Sequence, residues 1–315
     1  MTSRVVVLTG ASSGIGRAAA LAFAARGDRL VLAARGLADL EKVAASCGGS
    51  PLVVPTDVSV RAEVDELAEA AVDRFGRIDV WVDTAAVMAY GRFEDLPPEV
   101  FDQVVTTDLL GSANVARTAL RQFRRQNHGT LILCGSLLGH ITVPYMSAYS
   151  TAKWGQRALS RALRQETRDA RDINVCQLVP GSVNTPIYTS AANYAGFVGR
   201  PPPPVDTAER MAAAVLKLAN KPRRELSVGA TNRLIEFGFK TMPPVYDALV
   251  GSMITRLGLS RRRVSPQQGN IFTPAPRVEG GPLRLGRGAV AAAAATATVL
   301  ASTTVVAGVR LWKRS

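Results

Sequence analysis

Short β-branched runs alternate with longer Ala/Leu/Arg segments of helical period from residue 4 to about 230, and few architectures accommodate that rhythm. Repeated βα units on a parallel sheet do, because each helix then covers one face of the strands that flank it. Strands are predicted at Val5–Thr9, Leu30–Ala33, Leu52–Pro55, Ile78–Val82, Thr130–Cys134, Ile173–Val179 and Leu226–Val228. Helices between them bury an apolar stripe on either face. The predicted fold class is therefore α/β, a doubly wound parallel sheet in a three-layer αβα sandwich. With 315 residues, 47% of them hydrophobic, the chain has the material for such a core, which excludes disorder over most of its length.

The sandwich is expected to occupy residues 1–260. Pro201–Pro204 cannot be helical and reads as an extended connection into a helix near Asp206–Leu218, where a loop can cover a ligand. Residues 261–288 mix Arg, Pro and Gly and read as a solvated basic linker. Residues 289–309 then run 21 positions without a charge, about the length that spans a bilayer as a helix. Nine Ala, five Val and one Leu against four Thr, one Ser and one Gly make insertion marginal, and the flanking Arg284, Arg287, Arg310, Trp312, Lys313 and Arg314 favour it. Residues 310–315 form a basic tail. The alternative is an Ala-rich helix docked on the protein, or a disordered tail.

Charge follows the same division. Residues 1–220 hold 23 basic and 21 acidic side chains, residues 221–315 hold 15 and 4, so the excess of +13 is concentrated at the C-terminal end. That end has almost no aromatics for stacking on bases, so no nucleic-acid partner is expected and a membrane is. The N-terminal apolar run of about five residues, Val5–Thr9, is shorter than a signal-peptide core of roughly 7–15. The expectation is a cytoplasmic catalytic domain, membrane-associated through its C-terminus.

The first predicted strand runs into Gly10-Ala11-Ser12-Ser13-Gly14-Ile15-Gly16 and then a helical segment. Glycines in that order permit a sharp turn, let a pyrophosphate approach main-chain N–H groups and set it at a positive helix end. The spacing is GxxxGxG, not the commoner GxGxxG. At the end of the second strand an acidic residue would accept from a ribose 2′-hydroxyl, whereas an arginine pairs with a 2′-phosphate. The residues there are Ala33-Ala34-Arg35, so the predicted cofactor is NADP(H), with Arg17 as a possible second cation.

Further along, Ser136 precedes Tyr149-Ser-Thr-Ala-Lys153 by 13 residues, and Pro180-Gly181-Ser-Val183-Asn-Thr185 follows the sixth strand. Together with the glycine turn and the Asp57-Val58 pair, these residues resemble the short-chain dehydrogenase/reductase superfamily over roughly residues 4–230. The resemblance implies a Rossmann-like fold, a catalytic Ser136, Tyr149 and Lys153, and cofactor contacts from Gly10, Ser12, Ser13, Gly14, Ile15, Gly16, Asp57, Val58, Tyr149, Lys153, Pro180, Gly181, Val183 and Thr185. It also implies a homodimer or homotetramer built on helices around Asp108–Gln126 and Tyr149–Asp169, with Arg121, Arg124 and Arg125 at the rim.

These residue types suit carbonyl reduction or alcohol oxidation. A free phenol has a pKa near 10, and bringing Tyr149 to about 7 takes roughly 4 kcal/mol of preferential phenolate stabilisation. Lys153 falls on the same helix face, so its ammonium can supply much of that, while Ser136 hydrogen-bonds the substrate oxygen. Two departures from the family stand out. Asp83-Thr84-Ala85-Ala86 replaces Asn-Asn-Ala-Gly, with Ala85 keeping its place among the cofactor contacts. Asp108 stands where the fourth catalytic residue is usually Asn, and its charge would favour the Lys153 ammonium yet oppose the Tyr149 phenolate.

The remaining reactive side chains suggest little. Cys47, Cys134 and Cys176 lack paired spacing, and His128 and His140 are the sole histidines, so neither a disulfide scaffold nor a metal site is expected. Tyr188, Tyr194 and Phe197 either line a substrate pocket under a lid or pack on the sandwich. The function expected is hydride transfer between NADP(H) and an apolar carbonyl/alcohol substrate. The alternative is a membrane-tethered NADP-binding regulatory or scaffold protein with weak or no catalysis.

Overall fold

The computed structural model describes residues 3–274. All seven predicted strands form, as β1 (Val5–Thr9), β2 (Arg29–Ala34), β3 (Leu52–Pro55), β4 (Val80–Asp83), β6 (Gly129–Cys134), β7 (Ile173–Pro180) and β10 (Glu225–Val228). The short strand β5 (Ala89–Tyr90) lies between β4 and β6 in sequence but outside their sheet. The seven form one parallel sheet in the order β10-β7-β6-β4-β1-β2-β3, so the chain reverses its direction of travel at β1 and β4. That reversal opens a crevice at the carboxyl ends of these two strands, the usual ligand position in doubly wound sheets.

The period-2 alternation of the central strands divides the core in two. On one face Val6, Leu8, Leu32 and Val82 meet α1 (Gly14–Ala24), α2 (Leu37–Cys47) and α7 (Ala208–Asn220). Three consecutive alanines, Ala18, Ala19 and Ala20, let α1 approach closely, while Phe23 fills its far end. On the other face Val7, Val31, Trp81 and Leu131 meet α3 (Arg61–Phe75) and α5 (Ser112–Gln126). Each fully buried large side chain contributes about 1.5–3 kcal/mol.

Helix α4 (Pro98–Val105) runs into α5 through a π-helical stretch, Thr106–Gly111, which carries Asp108. Helix α6 (Ser147–Glu166) brings Tyr149 and Lys153 against the crevice. Two short strands, β8 (Ala192–Asn193) and β9 (Phe197–Gly199), follow β7, and a helical hairpin, α8 (Asn232–Thr241) and α9 (Pro243–Met253), follows β10.

The basic segment beyond residue 260 is not simply solvated. Leu259–Arg263 forms β11, antiparallel to β9, Gln267 bridges Asn193, and Ile271 is wholly buried. Main-chain pairing outweighs the polar composition that reads as a linker, and the expected boundary at 260 falls inside β11. Among the described residues no helix is long and apolar enough to cross a membrane. The segment 289–309 and the tail 310–315 lie outside the described residues.

Candidate active site

Strand β1 ends at Thr9, and Gly10 turns the chain with φ +74°, a region costly for any side chain. A Cβ there would lie 2.6 Å from the Ala85 nitrogen, and one on Gly16 would lie 2.3 Å from the Gly10 carbonyl oxygen. Bare backbone is thus needed where the turn enters α1, leaving main-chain groups at the helix N-terminus to face the crevice, the donor set that suits a pyrophosphate. Thr185 closes over this turn, 3.3 Å from the place a Gly14 Cβ would take.

One cavity of about 620 Å³ passes beneath these residues. Its lining contains Gly10, Ser12, Ser13, Gly14, Ile15 and Gly16, then Arg35, Asp57, Val58 and Ala85, then Ser136, Tyr149 and Lys153, then Pro180, Gly181, Val183 and Thr185. Every residue assigned from sequence to cofactor contact therefore borders the same space except Arg17, the second cation considered, which does not line it. A dinucleotide fits this set: a cation and strand-end backbone at one end, a glycine turn in the middle, and Ser136, Tyr149 and Lys153 at the other.

Asp108 is a further exception. It does not line the cavity but lies behind Lys153, fully buried, with Oδ2 3.5 Å from the lysine Nζ and Oδ1 accepting from the Val87 N–H at 2.8 Å. The π-helical turn aims it there, as such bulges often do at functional sites. Asp108 therefore meets the cavity only through Lys153. Burial raises its carboxyl to about 6, against the lowering pull of Lys153 and the Val87 N–H.

Lys153 is 1% exposed and donates to the Cys134 carbonyl at 3.3 Å, with Nζ 5.5 Å from the Tyr149 ring centre. Burial disfavours its charged form, but Asp108, joined by Tyr149, Cys134 and Asp83, reverses this and holds the ammonium above the ordinary lysine range. Burial, reinforced by Asp108, raises the Tyr149 phenol well above the usual value, and Lys153 offsets only part of that. Ser136 ends the strand-to-helix turn after β6 in extended backbone, where its Oγ accepts from the Leu138 N–H at 3.1 Å.

Several further residues support this arrangement through contacts that the sequence does not announce. Asp83 is buried at the end of β4, where it accepts from Thr9 Oγ1 at 2.8 Å and from Ser112 Oγ at 2.7 Å. Gln156, one turn past Lys153, donates to that same Ser112 oxygen at 2.7 Å, so a chain of polar contacts ties the Tyr–Lys helix to the two central strands. Asn232, at the start of α8, packs under Gly181 and donates to the Ser227 hydroxyl at 3.1 Å and the Val228 carbonyl at 3.2 Å.

Cys134 borders the cavity, yet burial pushes its thiol up to about 11, which suits a core residue better than a nucleophile. Tyr188 lines the cavity, while Tyr194 and Phe197 do not. Buried His140 finds partners that its sequence neighbours do not suggest, with Nδ1 3.2 Å from Glu236 and Nε2 3.6 Å from Glu225, and it fastens the loop after Ser136 to α8. Arg124 forms a 2.9 Å pair with Asp169 of the same chain. Among the described residues there is no cluster of metal-ligating side chains.

Residues 4–194 match the sequence model of the short chain dehydrogenases. The uncharacterized oxidoreductase YxnA of Bacillus subtilis is 29% identical over 85% of this chain and 77% of its own. A sepiapterin reductase of Chlorobaculum tepidum is 32% identical over 58% of this chain and 79% of its own. Among solved structures, an alcohol dehydrogenase of Thermococcus sibiricus in complex with 5-hydroxy-NADP superposes with a TM-score of 0.64 at 30% identity, covering 72% of this chain and 96% of that one. A short-chain dehydrogenase of Streptomyces avermitilis gives a TM-score of 0.68 at 25% identity, covering 81% and 97%.

Proposed function

The chain belongs to the short chain dehydrogenase family of oxidoreductases, and from that premise we propose that it uses NADP(H) to interconvert a bulky apolar ketone or aldehyde and its alcohol. The observation that carries this reading is a single cavity bordered by Arg35 at one end and by Ser136, Tyr149 and Lys153 near the other. Beyond Tyr149 the lining turns apolar, through Ile141, Val143, Met146, Ile187, Ile235 and Val250. Such a surface gains from burying hydrocarbon and offers little to a charged substrate.

A bound nicotinamide supplies or accepts the hydride. The chain's own residues do the rest. Ser136 orients the substrate oxygen, and Tyr149 donates its phenolic proton to that oxygen during reduction. Lys153, kept cationic by Asp108, stabilises the phenolate that remains. Arg35, held by backbone carbonyls and with no ion-pair partner among the described residues, is the cation that would pair with a 2′-phosphate.

Equilibrium binding of NADPH and NADH to the purified protein at fixed salt tests the cofactor assignment. NADPH is expected to bind at least tenfold more tightly, and Arg35→Ala to erase most of that difference. A wild-type preference for NADH would overturn it.

Asp108→Asn tests the electrostatics behind Lys153. With an Asp108 carboxyl near 6, the wild-type profile of kcat against pH should carry an inflection near that value, because ionisation there opposes the Tyr149 phenolate. In the Asn variant the inflection should vanish, and the basic limb of reduction should move down by about one unit. An unchanged profile would remove Asp108 from the account.

A further inference from the structure

Arg35 directly follows β2, yet the groups that hold its guanidinium come from more than two hundred residues away. Its Nη1 donates to the carbonyls of Ile271 at 3.0 Å and Phe272 at 3.3 Å, and its Nη2 to that of Asn270 at 2.6 Å. Pro274 then packs 3.5 Å from the place a Cβ on Gly36 would occupy. Asn270 and Pro274 border the same cavity as Arg35, Gly36 and the glycine turn, so this segment walls the cavity without filling it.

Its other edge is fastened to the chain that follows the Pro180–Thr185 turn. Gln267 and Asn193 exchange main-chain hydrogen bonds of 3.0 and 2.8 Å, and the Asn270 N–H donates to the Ser190 carbonyl at 2.9 Å. Ile271 is wholly buried in the cluster that contains Met88, Tyr149 and Ala192. Gly269 sits at φ +54°, and a Cβ there would lie 2.3 Å from the Ser190 oxygen.

We propose that residues 267–274 form a strap that completes the cofactor site, holding Arg35 as the arm that reads a 2′-phosphate. The proposal rests on the NADP(H) reading above. Two features favour holding over sequestering. The three acceptors are neutral carbonyls, so they orient the guanidinium without cancelling its charge. They also engage three of its five N–H groups, leaving two for an incoming anion. An arginine on a strand-end loop otherwise has many rotamers to lose on binding a phosphate, and the strap removes that cost before the cofactor arrives. Nicotinamide-cofactor choice is thereby made partly by a segment whose sequence gives no sign of it.

Gly269→Val tests the strap without altering Arg35 or any cavity residue, because a branched side chain cannot occupy that backbone position beside Ser190. In the full chain the variant is expected to bind NADPH about tenfold more weakly and NADH within about twofold of wild type. Arg35→Ala combined with Gly269→Val should be no weaker than Arg35→Ala alone. Unchanged or tighter NADPH binding would overturn the proposal, the latter by showing that the strap sequesters Arg35. Equal losses for both dinucleotides would overturn it too, since the strap would then be a general structural support.

Hydrogen exchange on the unaltered protein gives an independent reading. Saturating NADPH should slow exchange at the Gln267 and Asn270 amides more than saturating NADH, and equal protection would count against the strap. A wild-type protein that favours NADH sinks the cofactor reading and the strap together. A wild type that favours NADPH beside a Gly269→Val variant that still does so sinks the strap alone.

Discussion

Tyr149→Phe is expected to lower kcat/KM for carbonyl reduction by on the order of 10³-fold, the usual worth of a positioned general acid. The substitution removes one hydroxyl and leaves the ring, which packs in a buried cluster with Met88, Tyr90 and Ala148. Structure and NADPH affinity should therefore change little, within about twofold in Kd, and the loss should fall on turnover. Among the chain's own groups, burial and Asp108 outweigh Lys153, so the phenol keeps its proton through neutral pH. That state suits donation to a carbonyl oxygen directly, whereas alcohol oxidation must first form the phenolate. Steady-state kinetics with a panel of apolar ketones and aldehydes reads the effect. Undiminished reductase activity in the Phe variant would end the assignment of Tyr149 as proton donor.

The parts of this site that the sequence announces are those set by short-range rules. A glycine turn between a strand and a helix, and a Tyr and Lys four residues apart on one helix, keep their geometry wherever the element sits. Strand positions were legible for the same reason, since β1 and its neighbours are continuous apolar runs buried on both faces. What stayed hidden depends on which distant elements the fold brings together. Asp83 is a departure from a motif until Thr9 and Ser112 are seen to donate to it. That Asp108 lies behind Lys153 and off the cavity follows from the π-helical turn, which the sequence does not announce. Residues 261–274 read as linker by composition because antiparallel pairing with β9 and the burial of Ile271 use main chain and one side chain. The capture of Arg35 by three carbonyls has no side-chain signature at all.

Lys153→Met should combine a catalytic loss with a pH-dependent stability loss. Lys153 sits near two buried carboxyls, Asp108 and Asp83, whose burial already raises both above the ordinary aspartate range. In the wild type, Asp108 titrates at about 6 in the folded chain and near 3.9 when unfolded. Between those values the folded state binds more protons than the unfolded one, so this group makes stability fall as pH rises from about 4 to about 6 and adds no slope above. Lys153 is among the groups holding the Asp108 value down. Without it the upper edge of that window moves higher, and the variant should go on losing stability from pH 6 to 8, where Asp108 adds no slope in the wild type. Breaking a buried ion pair from one side costs about 3–5 kcal/mol, and here the cost should be largest at alkaline pH and smallest near pH 5, where Asp108 can take up a proton. Turnover at any pH should fall by on the order of 10³-fold, because the phenolate left after proton donation loses its cation. Thermal melting from pH 5 to 8 separates the two effects: curves for wild type and variant that stay parallel would show that Lys153 does not set the ionisation of Asp108.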